Sequence, residues 1–264
     1  MSIYLKENPK YLDECLYSLF TQTLLPSEIV IVKDGPLTTA LESVLEKWQT
    51  LLPIKIVPLL ENKGLGHALS VGLFECSNDI VARMDADDVC LPKRFETQFR
   101  YLDSEPNVDI LGSYAYSMSE CGEISNLMKV PISHDEIKKR IWTCPFIHPT
   151  VMFKRQSILN IGSYDPNIAH RQEDYELWIR SAHNELNFHN VNAPLIKYRM
   201  SPQYYAKNGF KVALNRFFIG LPAAWKYDRG VISFLGVCFP IFRCFIPLSI
   251  RGKIHNVIKK FFLD

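Results

Sequence analysis

The stretch "ARMDADDVCLPKRF", Ala82 to Phe95, sets Asp85, Asp87 and Asp88 within four residues, directly after the apolar run "DIVARM". Like charges this close repel: two carboxylates about 4 Å apart interact by about 4 kcal/mol at an effective dielectric near 20. Two local arrangements relieve the repulsion. In one the loop is solvated and caps the helix that follows; in the other a divalent cation sits among the carboxylates. Aspartate oxygens suit magnesium or manganese, and such ions keep waters and are completed by substrate phosphates. A D-x-D pattern at a strand end therefore points to an ion that grips a nucleotide diphosphate, and its surroundings decide between the two readings.

Working outward, the first ninety residues alternate between two periods. Tyr11 to Gln22 places Leu12, Cys15, Leu16, Leu19 and Phe20 at helical spacing, whereas "EIVIVKDG", Glu28 to Gly35, is a β-branched run stopped by Asp-Gly. The alternation repeats through "TTALESVLEKWQTL" (helix), "IKIVPLL" (strand), "LGHALSVGLFEC" (helix) and "DIVARM" (strand). This predicts an α/β fold with a mostly parallel central sheet flanked by helices and joined by right-handed crossovers. Ligands of such sheets bind outside the carboxyl ends of the strands, which is where Asp34 and the aspartate cluster both fall. Further on, Lys93 to Leu102 reads as a helix, "VDILGSYAYSM" as a strand, "HDEIKKRIW" as a short helix and "HPTVMF" as a strand. "QEDYELWIRSAHN" reads as a helix with Glu173 and Asp174 in its first turn, where the helix dipole favours negative charge. "FHNVNAPLIKYRM" reads as an edge strand, because Pro194 interrupts it.

The chain has 264 residues, 47% of them apolar, enough for a large core. A formal net charge of +2 gives no sign of a nucleic-acid binder, and seven scattered cysteines without a CxxC pair argue against a disulfide framework or a zinc site. These cysteines fit a reducing compartment, and the start "MSIYLKENPKYL" lacks the pattern of a signal peptide. The tail changes character. Residues 231 to 250 are almost wholly apolar, and "RGKIHNVIKKFF" interleaves basic and apolar residues. The apolar run is long enough for a membrane span, but Arg243, Pro240 and Pro247 favour a segment lying in the bilayer interface; two core-packing helices are the alternative.

Several motifs, in order, carry a resemblance: "EIVIVKDGPLT", "ENKGLGHALSVGL", "ARMDADDVCLPKRFETQ", "HPTVMF", "IGSYD" and "QEDYELWIR". Together they resemble the family 2 glycosyltransferases with the GT-A fold, and more narrowly the bacterial enzymes that extend lipid-linked O-antigen or exopolysaccharide repeat units. The resemblance covers about residues 1 to 200. It implies one catalytic domain over 1–205, with a sugar-nucleotide-binding half at 1–105 and an acceptor half at 106–205, followed by a helical, membrane-associating region at 206–264. In relatives the first strand precedes the stretch matching "MSIY", so either the start is assigned late or the first strand is truncated. "KDG" stands where "DDG" is commoner, leaving Asp34 as the acid at that strand end.

Carried onto this sequence, the resemblance implies that Asp34 contacts the uracil or ribose, that Asp85 and Asp87 hold Mn2+ or Mg2+, with Asp85 nearer the donor, and that Asp88 supports them. Asp174 matches the catalytic base. Lys63 and Arg199 are candidates for the diphosphate, and His148, Glu173 and Trp178 for the acceptor side, each with a structural alternative: a solvated Lys, a satisfied His, a first-turn acid, a core aromatic. The implied reaction is inverting transfer of a hexose, glucose or galactose, from a UDP-sugar to a polyprenyl-diphosphate-linked saccharide, forming a β-linkage. A metal-stabilised diphosphate leaves without protonation, so one base suffices, unlike glycoside hydrolysis, where a second carboxyl group is needed. The expected location is peripheral, on the cytoplasmic side of the bacterial inner membrane. Two other readings compete: a sugar-nucleotide nucleotidyltransferase, which would show a Gly-rich loop near the start, and a non-catalytic nucleotide-binding or membrane-scaffold module.

Overall fold

Local chemistry starts the helices. The computed structural model describes residues 1–168, 172–200 and 209–246. In α1 (Pro9–Phe20) the Asn8 side chain accepts from the Lys10 N–H, Pro9 occupies the first turn, and Leu12, Cys15, Leu16 and Leu19 form one buried stripe. Thr38 caps α2 (Thr39–Gln49) in the same way. Between these helices β2 (Ile29–Lys33) buries four consecutive residues, the mark of a strand covered on both faces.

β1 (Ser2–Ile3), β2 and β3 (Ile54–Pro58) form a parallel sheet in that order, with Ile31 opposite Ile56 and Ser2 opposite Val32. β1 is only two residues long. α3 (Leu65–Glu75) then leads to β4 (Ile80–Ala82). β4 belongs to a second, six-stranded sheet with β5 (Val89–Cys90), β6 (Ile110–Met118), β7 (Ile124–Met128), β8 (Met152–Lys154) and β9 (Phe188–Arg199). Its order is β4-β8-β6-β9-β5, with β7 also on β6.

The expectation of one mostly parallel sheet is corrected here. In the second sheet β6 and β9 pair in parallel, and the other pairs are antiparallel. The parallel rule needs a helical crossover between paired strands, and β6 and β7 are joined instead by a short turn. Among the described residues no strand ladder joins the two sheets, which share one core. A cavity of about 540 Å³ is bordered by Val30 of β2, by β4, and by Leu69 and Leu73 of α3. The Met1 amino group lies at its edge and donates to the Val30 carbonyl at 2.8 Å, and burial pulls its pKa down.

β9 is also corrected. It lies inside the sheet, parallel to β6 on one side and antiparallel to β5 on the other. Pro194 pairs opposite Tyr114, where the register shifts, so the missing N–H falls at an irregularity rather than at an edge.

α4 (Arg94–Ser104), α5 (His134–Lys139), α6 (Arg155–Asn160) and α7 (Glu173–His183) pack around this frame. One core gathers α1, α2 and the parallel sheet; a second gathers Trp142, Phe146, Phe153, Tyr175, Trp178 and Phe188. The second core also receives Ala223 and Ala224 of α8 (Phe210–Tyr227) and Val237 of α9 (Val231–Arg243). Two glycines allow this close docking. A Cβ on Gly220 would stand 2.1 Å from the Tyr175 hydroxyl, and one on Gly236 would stand 2.3 Å from the Trp142 ring. No helix among the described residues is long and apolar enough to cross a membrane. Pro247 and the basic stretch after it lie outside the described residues.

Candidate active site

The aspartate cluster begins where β4 ends. Arg83 is buried and places its Nη1 2.5 Å from Asp85 Oδ2, so the first carboxylate of the cluster carries a fixed cation at its back. Asp88 is fully buried. Its Oδ1 accepts from the Arg199 N–H at 2.7 Å, and its Oδ2 has no partner. Oxygens of Asp85, Asp87 and Asp88 all lie within 4.8 Å of one another. Burial, followed by the charge of Asp85, pushes the Asp87 carboxyl up to about 6. Burial and then both neighbouring carboxylates push Asp88 well above the usual range. A buried oxygen without a partner, beside carboxyls that repel one another, suits a hard divalent cation. The donor set therefore fits magnesium or manganese.

Arg199 stands behind this cluster. Its Nε donates to the Asp87 carbonyl at 2.7 Å, its Nη2 pairs with Glu14 at 2.6 Å, and its guanidinium lies 4.0 Å over the Tyr11 ring. It ties β9 to α1 and braces the loop that carries the acids. Asp34, at the end of β2, spends both oxygens on backbone: Oδ1 accepts from Lys63 N at 2.7 Å and Oδ2 from Gly64 N at 3.0 Å. It thereby fastens the "ENKG" loop ahead of α3, where Gly64 takes φ of 91°. The Lys63 ammonium is half-exposed and 3.7 Å from Glu61.

Asp174 lies in the first turn of α7. Its Oδ1 accepts from the Tyr175 N–H at 2.7 Å, and the Cys144 thiol donates toward Oδ2 at 3.8 Å. Cys144 itself sits in the left-handed region, with φ of 64°. Burial raises the Asp174 pKa, while the Tyr175 N–H and then the Arg216 charge oppose the rise. The result is a stronger base than a free carboxylate, still able to ionise.

These residues converge. Arg83, Asp85, His148, Glu173, Asp174 and Arg216 line one cavity of about 530 Å³, although Asp85 and Asp174 are far apart in sequence. His148 bonds to the Tyr164 hydroxyl at 2.9 Å, and burial, aided by Arg83, lowers its pKa well below the usual value, so it is a neutral wall of the cavity. Glu173 is buried at the same wall. Trp178 is fully buried, 5.1 Å from Phe146 and 5.8 Å from His148 by ring centroids. Of the two readings of Trp178, a stacking partner for an acceptor sugar or a core aromatic, the structure shows the core: one helical turn past Asp174 leads inward.

A family model described as glycosyl transferase family 2 matches residues 1–162. The chain belongs to this family. As a family 2 glycosyltransferase it is an enzyme, and neither the nucleotidyltransferase nor the scaffold reading stands. The amylovoran biosynthesis glycosyltransferase AmsE of Erwinia amylovora is 43% identical over 68% of this chain and 67% of its own length. The UDP-Gal:alpha-D-GlcNAc-diphosphoundecaprenol beta-1,3-galactosyltransferase of Escherichia coli is 34% identical over 99% of this chain and 96% of its own length. Among solved structures, S. aureus TarS 1–349 in complex with UDP-GlcNAc superposes with a TM-score of 0.70 at 18% identity, covering 98% of this chain and 79% of that one. The family 2 glycosyltransferase thus has the GT-A fold expected from its motifs, with a central sheet flanked by helices.

Three residues of the site escaped sequence reasoning. Arg83 was in view, two positions before Asp85 and so on the same side of an extended chain. Cys144 and Arg216 carry no local signal. Arg216 reaches Gln172 Oε1 at 3.3 Å and the Thr143 carbonyl at 3.1 Å, from α8, beyond every motif.

Proposed function

We propose that the protein is an inverting, metal-dependent hexosyltransferase that moves glucose or galactose from a UDP-sugar to a hydroxyl of a polyprenyl-diphosphate-linked saccharide, forming a β-linkage during O-antigen or exopolysaccharide synthesis. One observation carries the reading: Asp85, beside the acidic cluster, and Asp174, the candidate base, line the same cavity. Asp174 takes the acceptor hydroxyl proton as that oxygen bonds to the anomeric carbon; the bond from that carbon to the phosphate oxygen breaks, and UDP departs with the electron pair. Asp87 and Asp85 would hold the cation, with Asp88 contributing its unpartnered oxygen. A bound divalent ion would neutralise charge on the diphosphate.

Asp34 and Lys63 shape the donor side in this reading, Arg199 braces it, and His148 and Glu173 wall the acceptor side. Residues 1–105 form the donor half and 106–205 the acceptor half. The acceptor class and the galactose option are supported by the name of the Escherichia coli relative. A lipid-linked acceptor fits work at the cytoplasmic face of the inner membrane, held peripherally.

The cation is tested by calorimetric unfolding. UDP with Mn2+ raises the Tm of the parent, and Asp87→Ala removes most of the increment that depends on Mn2+; an equal shift with and without metal in the parent would refute the assignment. The base is tested by pH. Asp174 must be ionised to act, so kcat falls as pH drops through its raised pKa, and the acid limb is displaced upward from that of a free aspartate. Arg216→Gln removes a charge that favours the ionised form and moves that limb further up. A limb unmoved by this change would separate Asp174 from the chemistry.

A further inference from the structure

The pair α8 and α9 presents an apolar surface on the side away from the active site. At about 100° per residue, Val231, Phe234, Leu235 and Phe242 fall on one stripe of α9, and all four are exposed. The opposite side of the same helix holds Gly236, Val237 and Pro240, which line the cavity containing Asp174. On α8, Phe218 and Trp225 are seven residues apart, hence on one face, and both are exposed. Trp225, near the end of α8, is 73% exposed and Val231, at the start of α9, is 75% exposed, so each stripe reaches the short connection between the helices.

Charge selects the partner. Residues 209–246 contain Lys211, Arg216, Lys226, Arg229 and Arg243 against one acid, Asp228. Asp228 is turned inward, accepting from Trp142 Nε1 at 3.1 Å, while Lys226 and Arg229 stand exposed beside Trp225 and Val231 at the turn. An aromatic and an aliphatic side chain at a tip flanked by two cations match an anionic bilayer surface: the apolar groups enter the acyl boundary and the cations meet phosphate headgroups.

We propose that the α8–α9 turn and the exposed stripe of α9 are the membrane-docking surface, which seats the active-site cavity beside an anionic bilayer so that α9 separates lipid from the catalytic pocket. The inference rests on the lipid-linked acceptor proposed above and adds to it the side from which that acceptor arrives. The stripe runs along the outside of the helix whose inside walls the cavity, so a lipid-anchored diphosphate need travel only past α9 to bring its sugar to Asp174.

The test is cosedimentation of the full chain with vesicles rich in phosphatidylglycerol and with neutral phosphatidylcholine vesicles. The parent is expected to bind the anionic vesicles, with a blue shift of its tryptophan emission. Trp225→Ser with Val231→Ser, and separately Lys226→Glu with Arg229→Glu, should each weaken that binding about tenfold or more. Both variants should retain UDP binding and transfer to a water-soluble acceptor with a short alkyl diphosphate. Unchanged vesicle binding in both variants, equal binding of the parent to neutral vesicles, or a dimer of the parent broken by the same substitutions would overturn the proposal. Loss of transfer to the short acceptor in the parent would instead sink the proposed acceptor class, with the docking result unaffected.

Discussion

Asp174→Asn is expected to lower kcat by about 10³-fold, equivalent to roughly 4 kcal/mol of transition-state stabilisation, while UDP binding in the presence of Mn2+ stays within about twofold of the parent. The asymmetry follows from position. Asp174 belongs to α7 and is not one of the clustered aspartates, so removing its charge leaves the acidic groups proposed to hold the cation intact. Asparagine keeps the size of the side chain and can still accept from the Tyr175 N–H, which holds Asp174 in place. What is lost is the capacity to take a proton. A variant retaining transfer at the parental rate, measured as UDP released per acceptor glycosylated, would remove Asp174 from the mechanism.

Arg83→Met is expected to cost about 3 kcal/mol of stability, a drop in Tm of about 6–12 °C for a chain of this size. Arg83 is buried with its guanidinium against Asp85, and methionine fills similar volume without charge. The loss comes from leaving the Asp85 carboxylate without its cation beside two further aspartates. Adding Asp85→Leu to Arg83→Met should therefore restore much of the stability, since an apolar pair can replace a buried ion pair at little cost. Additive losses in the double variant, measured by urea unfolding, would show that the pair is not coupled.

Sequence alone revealed those parts of the site that sit at element ends and depend on short-range chemistry. The D-x-D after an apolar strand, the Asp-Gly after "EIVIVK" and the acids opening "EDYELW" are local signals, and all three occupy strand or helix termini. The alternation of periods located β2, β3 and the helices between them. It overstated the parallel character because β7 returns to β6 through a short turn and β8 runs antiparallel to both β6 and β4, directions that hydrophobic periodicity does not encode. Pro194 was read by the rule that proline avoids interior strands, but the bulge that accommodates it depends on Tyr114, on another strand. Trp178 was ambiguous for a similar reason: spacing along α7 says which face it shares with Asp174, not that this face turns into Phe146 and Phe188. Arg216 and Cys144 reach Asp174 only through tertiary packing, so no window of sequence contains that relation.

If Asp85 with its cluster and Asp174 form one site for inverting transfer from a UDP-sugar to a lipid-diphosphate saccharide, the stereochemistry of the product reports it. NMR of the product made from UDP-galactose or UDP-glucose and a synthetic lipid-diphosphate sugar with Mn2+ present should show a new glycosidic bond with β anomeric coupling, absent when Mn2+ is chelated and absent with Asp174→Asn. An α-linked product, or one formed equally without the metal, would contradict it.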